Sequence, residues 1–252
     1  MGSRTKLKDR ALPTYTKGEE IFNMVSHILG VVLGIVAIVL CSVFAAKNGN
    51  GYGVVSGVIY GVSLVILYTM SSVYHGLSKN LFAKRVFQVL DHCTIFIMIA
   101  GCYTPFALCT LREYNTALGW TVFGVIWGVA ILGIVLNGID LKKYKVFSIC
   151  CYLIMGWFMI FKINVIYEML GLAGFMLLLL GGLIYTLGAV LYLLGKKHKY
   201  IHSAFHICIL LASLLHFLCI LLYVMWDLKK VSENRKFFQN FEKTWLWYLR
   251  RV

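Results

Sequence analysis

Two histidines four residues apart, His202 and His206, open the last long apolar stretch of a 252-residue chain. That spacing is just over one helical turn, so both imidazoles project from one helix face. Two imidazoles so placed can ligate one metal ion. A second apolar stretch ends in Ser71-Ser-Val-Tyr-His75, which puts Ser71 and His75 on one face by the same arithmetic. A third begins with Asp91-His92, and the first begins Glu20-Ile-Phe-Asn23 and runs on to Ser26-His27. Ionisable groups in a bilayer cost several kcal/mol unless paired, so each of these is a functional candidate.

The elements that must carry them are membrane helices. The chain is 60% hydrophobic and 13% charged, with a mean hydropathy of +0.82; soluble domains run about 45–50% apolar and about 25% charged. That balance excludes a soluble enzyme, a disordered chain and a secreted disulfide scaffold. Apolar runs lie near 22–46, 52–77, 86–111, 117–139, 146–162, 169–194 and 201–226. They are too long and too uniformly apolar for the alternating strands of a barrel. The expected fold is an all-α membrane protein, a seven-transmembrane helix bundle. A basic cytoplasmic tail (1–18) precedes the bundle (19–226), and a basic aromatic tail (227–252) follows it, read as an interfacial helix or a partly ordered extension. No removable signal peptide is expected at the polar, basic start. The eight cysteines form no C-x-x-C pair and read as small buried apolar residues. The net charge of +14 sits between apolar runs, a pattern that fits topology and anionic lipid headgroups and not nucleic acid.

Orientation follows from Lys and Arg. With the N-terminus cytoplasmic, inside segments hold the clusters Arg4–Lys17, Lys79–Arg85, Lys142–Lys145 and Lys196–Lys199, while outside loops hold only Lys47, Arg112 and Lys162. The basic tail after Trp226 runs against this asymmetry, but the series of short loops outweighs a terminal tail. This arrangement brings His27, His75, Asp91, His202 and His206 to one depth near the cytoplasmic side. The ligand set expected is His75, His202 and His206, with Zn²⁺ the ion and a fourth position left for water. His216 lies ten residues beyond His206, about 15 Å deeper, too far to join them. His198 falls in a Lys-rich loop, where a solvated side chain is expected. His27 and His92 are candidates to orient the ligands.

The S-x-x-x-H of Ser71–His75, the following Asp91, the terminal H-x-x-x-H of His202–His206 and the E-x-x-N-x-x-S-H of Glu20–His27 together resemble the hemolysin III family. That family groups with the progesterone and adipoQ receptors and is more remotely similar to the alkaline ceramidases. The resemblance spans residues 19–226. It implies seven helices with a cytoplasmic N-terminus, and zinc on three histidines matching His75, His202 and His206. It also implies an Asp, matching Asp91, that hydrogen-bonds the zinc water, and a nearby Ser, matching Ser71. The short segment before the first helix favours the bacterial branch and a plasma-membrane location.

The activity expected is metal-dependent hydrolysis of a membrane lipid, the amide bond favoured by the ceramidase resemblance. Zinc lowers the pKa of its water to about 7; Asp91 would take the proton as general base and Ser71 would donate a hydrogen bond to the developing oxyanion. The alternative is a non-enzymatic receptor or regulator whose structural zinc has four protein ligands. A pore or exporter ranks third, because the polar residues crowd one end of the bundle.

Overall fold

The computed structural model of the chain describes residues 4–195 and 199–226. Among these no strand occurs, and the long helices are α1 (Lys17–Lys47), α2 (Gly51–Gly76), α3 (Phe82–Tyr114), α4 (Thr116–Asp140), α5 (Lys145–Trp157), α6 (Ile163–Leu194) and α7 (Ile201–Met225). Local chemistry sets their starts. Thr16 and Glu19 form a reciprocal capping box on α1, Asn50 accepts from the Gly53 N–H at 2.8 Å on α2, and Asn115 accepts from the Leu118 N–H at 2.9 Å on α4. Pro105 lies inside α3, and the turns after it widen to π spacing over Phe106–Leu111.

Among the described residues six stretches are long and apolar enough to cross a membrane: α1, α2, α3, α4, α7 and the run Lys145–Leu194 that joins α5 to α6. That run is 50 residues, about 75 Å if straight, against a hydrocarbon core of about 30 Å. It is not straight. A 3-10 segment occupies Phe158–Lys162, and Gly171 takes φ +69°, a conformation that glycine adopts freely. The Trp157 indole N–H donates to Thr186 Oγ1 at 3.0 Å, and the Lys145 ammonium lies 5.4 Å from the centre of the Tyr192 ring. Residues so distant in sequence meet only because the run doubles back.

The helices bury small and polar residues and turn large apolar ones outward. On α1 the buried positions are Asn23, Ser26, His27, Gly30, Gly34, Ala37, Cys41 and Ala45, one helical stripe, while Leu29, Val32, Ile35 and Val39 face out. This is the distribution a lipid solvent selects. A Cβ on Gly34 would come 2.9 Å from the Val65 backbone N, and one on Gly61 would come 2.6 Å from the Ile38 backbone N, so glycine lets α1 and α2 touch along their backbones. Tyr60, Tyr68, Phe96, Phe106 and Ile220 fill the centre. All eight cysteines are free, and Cys150 alone is exposed.

Candidate metal centre

His75 stands in the last turn of α2, and His202 and His206 stand in the first two turns of α7; all three are buried. Their ring nitrogens offer three ligand atoms within 4.8 Å of one another. His202 Nε2 and His206 Nε2 face each other at 3.1 Å. A tetrahedral ion with bonds of about 2.0–2.1 Å has ligand edges of roughly 3.3 Å, so this pair is close to the required spacing. The three-residue group expected from spacing and topology is therefore brought together.

Glu20, in the first turn of α1, fixes one of them. His75 Nδ1–H donates to Glu20 Oε2 at 2.6 Å, which directs the His75 Nε2 lone pair inward. Glu20 Oε1 in turn accepts from the Lys84 ammonium at 2.8 Å, and Lys84 also donates to the Leu77 carbonyl at 2.9 Å. Lys84 is almost wholly buried at the start of α3. Sequence reasoning placed Glu20 only within a signature and Lys84 only among loop charges. The depth argument applied to Asp91 was available for Glu20 as well, since it lies in the first turn of a helix that starts on the same side.

Around the three histidines lie further polar groups. The His27 ring centre is 3.8 Å from that of His206, and neither His27 nitrogen has a partner. Both side-chain amide atoms of the fully buried Asn23, the Ser203 hydroxyl, His75 Nε2 and His206 Nδ1 are likewise unmatched. From outside, the N-terminal segment 4–16 crosses the helix ends. Arg4 donates to the Ile139 carbonyl at 2.8 Å, Arg85 to the Arg10 carbonyl at 3.3 Å and Lys79 to the Tyr15 carbonyl at 2.9 Å. The Tyr15 ring then stacks on His202 with centres 4.7 Å apart and planes at 14°. Burial pushes the Tyr15 phenol well above its usual range, aided by nearby Tyr192, Asp91 and Glu20, so it covers the site as a neutral ring.

The other expected residues fall nearby in different roles. Ser71 is buried one turn before His75. Asp91 is half-buried, with a carboxylate oxygen 3.7 Å from His92 Nδ1, and it is not among the three residues that converge. His92 does not orient a ligand: its Nδ1–H donates to the Gln88 carbonyl at 2.8 Å and its Nε2 accepts from the Tyr192 hydroxyl at 3.0 Å. His216 is matched deep in the bundle, donating from Nε2 to the Leu178 carbonyl at 3.1 Å with Nδ1 3.2 Å from Cys102 Sγ. His198 and the tail 227–252 lie outside the described residues.

The buried, unmatched ring nitrogens are the fit test for an ion. A buried imidazole nitrogen without a partner is costly, and a cation placed between His75 Nε2 and the facing His202 and His206 Nε2 atoms would match the unpartnered His75 Nε2. The three-histidine group could therefore hold a metal ion. These features define a multi-pass membrane protein with a buried histidine site at one end of a helical bundle. The model of the haemolysin-III-related family matches residues 15–217, and the chain belongs to that family. It is 40% identical over 207 residues to Hemolysin-3 of Bacillus cereus, covering 82% of this chain and 92% of that one. It is 38% identical over 209 residues to the Hemolysin-3 homolog of Bacillus subtilis (strain 168), covering 83% and 96%. The protein is a multi-pass protein of the cell membrane.

Proposed function

We propose that the chain is a zinc-dependent hydrolase of a membrane lipid, with His75, His202 and His206 holding the ion. In this reading Lys145–Leu194 crosses twice, for a total of seven spans, with the N-terminus cytoplasmic and the C-terminus outside. The hairpin contacts of Trp157 and Lys145 support the double crossing, and the Lys and Arg asymmetry supports the orientation. The reading rests on one observation: three buried imidazoles from two helices meet, and a carboxylate directs one of them inward.

Zinc bound there supplies Lewis acidity, which polarises a carbonyl and acidifies water near neutral pH. The rest is the work of side chains. Glu20 keeps the proton on His75 Nδ1, and Lys84 holds Glu20 in place. Asp91 takes a proton as general base. Ser71 donates a hydrogen bond to the developing oxyanion. The substrate is a lipid, because the site lies at the end of membrane helices, and the amide bond is favoured by the likeness to ceramidases.

His27 favours a second reading, a receptor or regulator with structural zinc. Its unmatched ring beside His206 offers a fourth protein ligand that would close the site. One experiment separates the two: zinc content and hydrolysis of a panel of lipid amides and esters, measured on wild type, Asp91→Asn and His27→Ala. The enzyme reading expects zinc-loaded Asp91→Asn to lose roughly 10²–10⁴-fold in hydrolysis, and His27→Ala to keep its zinc. Loss of zinc from His27→Ala, with no hydrolysis by zinc-loaded wild type across the panel, makes the protein a receptor instead.

A further inference from the structure

At the edge of the bundle the N-terminal segment roofs a second feature. Arg4, Thr5, Leu7 and Arg10 close a cavity of about 180 Å³ against Val86, Val89 and Leu90 of α3 and Gly138 of α4. One water needs only ~10–15 Å³ of such space. None of the site histidines lines it. Arg10 is 8% exposed, and its guanidinium Nε and Nη1 are buried without a hydrogen-bond partner. Asp140 lies within its field, but the oxygens of that carboxylate accept from backbone N–H groups: Thr5 at 2.8 Å on Oδ2, and Lys142 at 3.0 Å and Lys143 at 3.2 Å on Oδ1. A buried guanidinium with free donors calls for an anion, and its planar fork suits a phosphate.

We infer that this cavity binds a phosphate oxyanion, presented in the membrane by an anionic lipid headgroup. Arg10, which lines the cavity, supplies a buried cation and the exposed Arg4 a second one. Val86, Val89 and Leu90 give an apolar wall along which the first acyl carbons lie. The position fits the chain's own charge pattern, since these arginines belong to the cluster assigned to the anionic cytoplasmic leaflet. Burial pulls the Arg10 pKa down against the opposing effect of Asp140, as expected for a cation with no close counter-ion.

The test uses delipidated full-length protein, with native mass spectrometry to count retained phosphatidylglycerol against phosphatidylcholine. Wild type should retain phosphatidylglycerol preferentially. Arg10→Gln and Arg4→Gln should each lower that retention about fivefold, the usual worth of one cation at a lipid surface. Arg10→Gln removes a buried group and can unfold the chain; Gly138→Leu does not carry that risk. A Cβ there meets nothing within 4 Å, so the larger side chain enters the cavity with every charge intact. Inorganic phosphate forms the second arm. If millimolar phosphate raises the melting temperature of wild type but not of Gly138→Leu, while phosphatidylglycerol shows no preference, the oxyanion site stands and its source is the free ion. Equal phosphatidylglycerol retention by wild type, Arg4→Gln and Gly138→Leu, with no effect of phosphate, overturns the inference.

Discussion

Two sets of buried imidazoles occupy this bundle, and their hydrogen bonding is opposite. At mid-bundle His216 has a carbonyl for one nitrogen and a thiol for the other, and His92, beside Asp91 on α3, has a carbonyl and a hydroxyl. At the α1, α2 and α7 ends, His75 Nε2, His206 Nδ1 and both nitrogens of His27 have nothing, while His202 and His206 turn Nε2 toward Nε2. A neutral imidazole carries one donor and one acceptor. The first set uses both and is finished by the protein alone. The second set needs something more, and three of its members are spaced for an ion. Burial alone does not separate the sets, because histidines of both are buried; the difference lies in what the rings face.

The contrast breaks most sharply with alanine. His75→Ala, His202→Ala and His206→Ala should each lose bound zinc, from about one ion per chain to none, by elemental analysis of purified protein. Melting temperature should fall as well, because the ion ties α2 to α7 and its binding free energy adds to folding. His216→Ala should lower stability by about 1–3 kcal/mol through its stranded partners and keep its zinc. Zinc retained in a His202/His206 double mutant, or lost in His216→Ala, would mean the two sets have been told apart wrongly.

A smaller effect sharpens the contrast within the second set. Among the described residues Glu20 is the carboxylate that holds a converging ring in a fixed tautomer. Glu20→Gln keeps the shape but removes the charge that accepts from His75 Nδ1–H and balances Lys84. Zinc affinity should fall about 10–100-fold by competition with a chelator. An unchanged affinity would show that His75 needs no such support.

Much of this was legible in the sequence, for identifiable reasons. Apolar run length announces membrane helices because lipid leaves a spanning chain few alternatives. The H-x-x-x-H at His202 and the boundary position of His75 announce a shared depth, because helix spacing and loop charge are both periodic signals. What stayed hidden depended on pairing across helices. Glu20 meets His75 and Lys84 over separations of 55 and 64 residues, and no local pattern encodes that contact. His92 reads as a candidate to orient a ligand because a ligating imidazole usually donates its other N–H to a partner, yet its ring faces Tyr192 and the Gln88 carbonyl. The doubling back of Lys145–Leu194 was expected from the gap between two runs, while the device that enables it, Gly171 at φ +69°, was one glycine among 23. Nor did the basic start of the chain reveal that its Tyr15 would lie over the site.

That ring supports the smallest prediction. Tyr15, in the segment that precedes α1, stacks on His202. Its contact with the site is a ring face laid on His202, so removing it should leave zinc affinity nearly unchanged. It should instead change how fast the ion leaves. An aromatic stack is worth about 0.5–1.5 kcal/mol beyond area burial, or about two- to tenfold in a rate that must first break it. Tyr15→Ala should therefore speed stripping of zinc by a chelator by that factor, followed by stopped-flow on the full-length protein. Tyr15→Phe keeps the ring and should match wild type, since the contact with His202 is made by the ring face. Lys79→Gln, which frees the Tyr15 carbonyl from its 2.9 Å tether, should shift the rate in the same direction by less. If Tyr15→Ala and wild type lose zinc at the same rate, the segment does not gate the site, and the ion leaves between the helices instead.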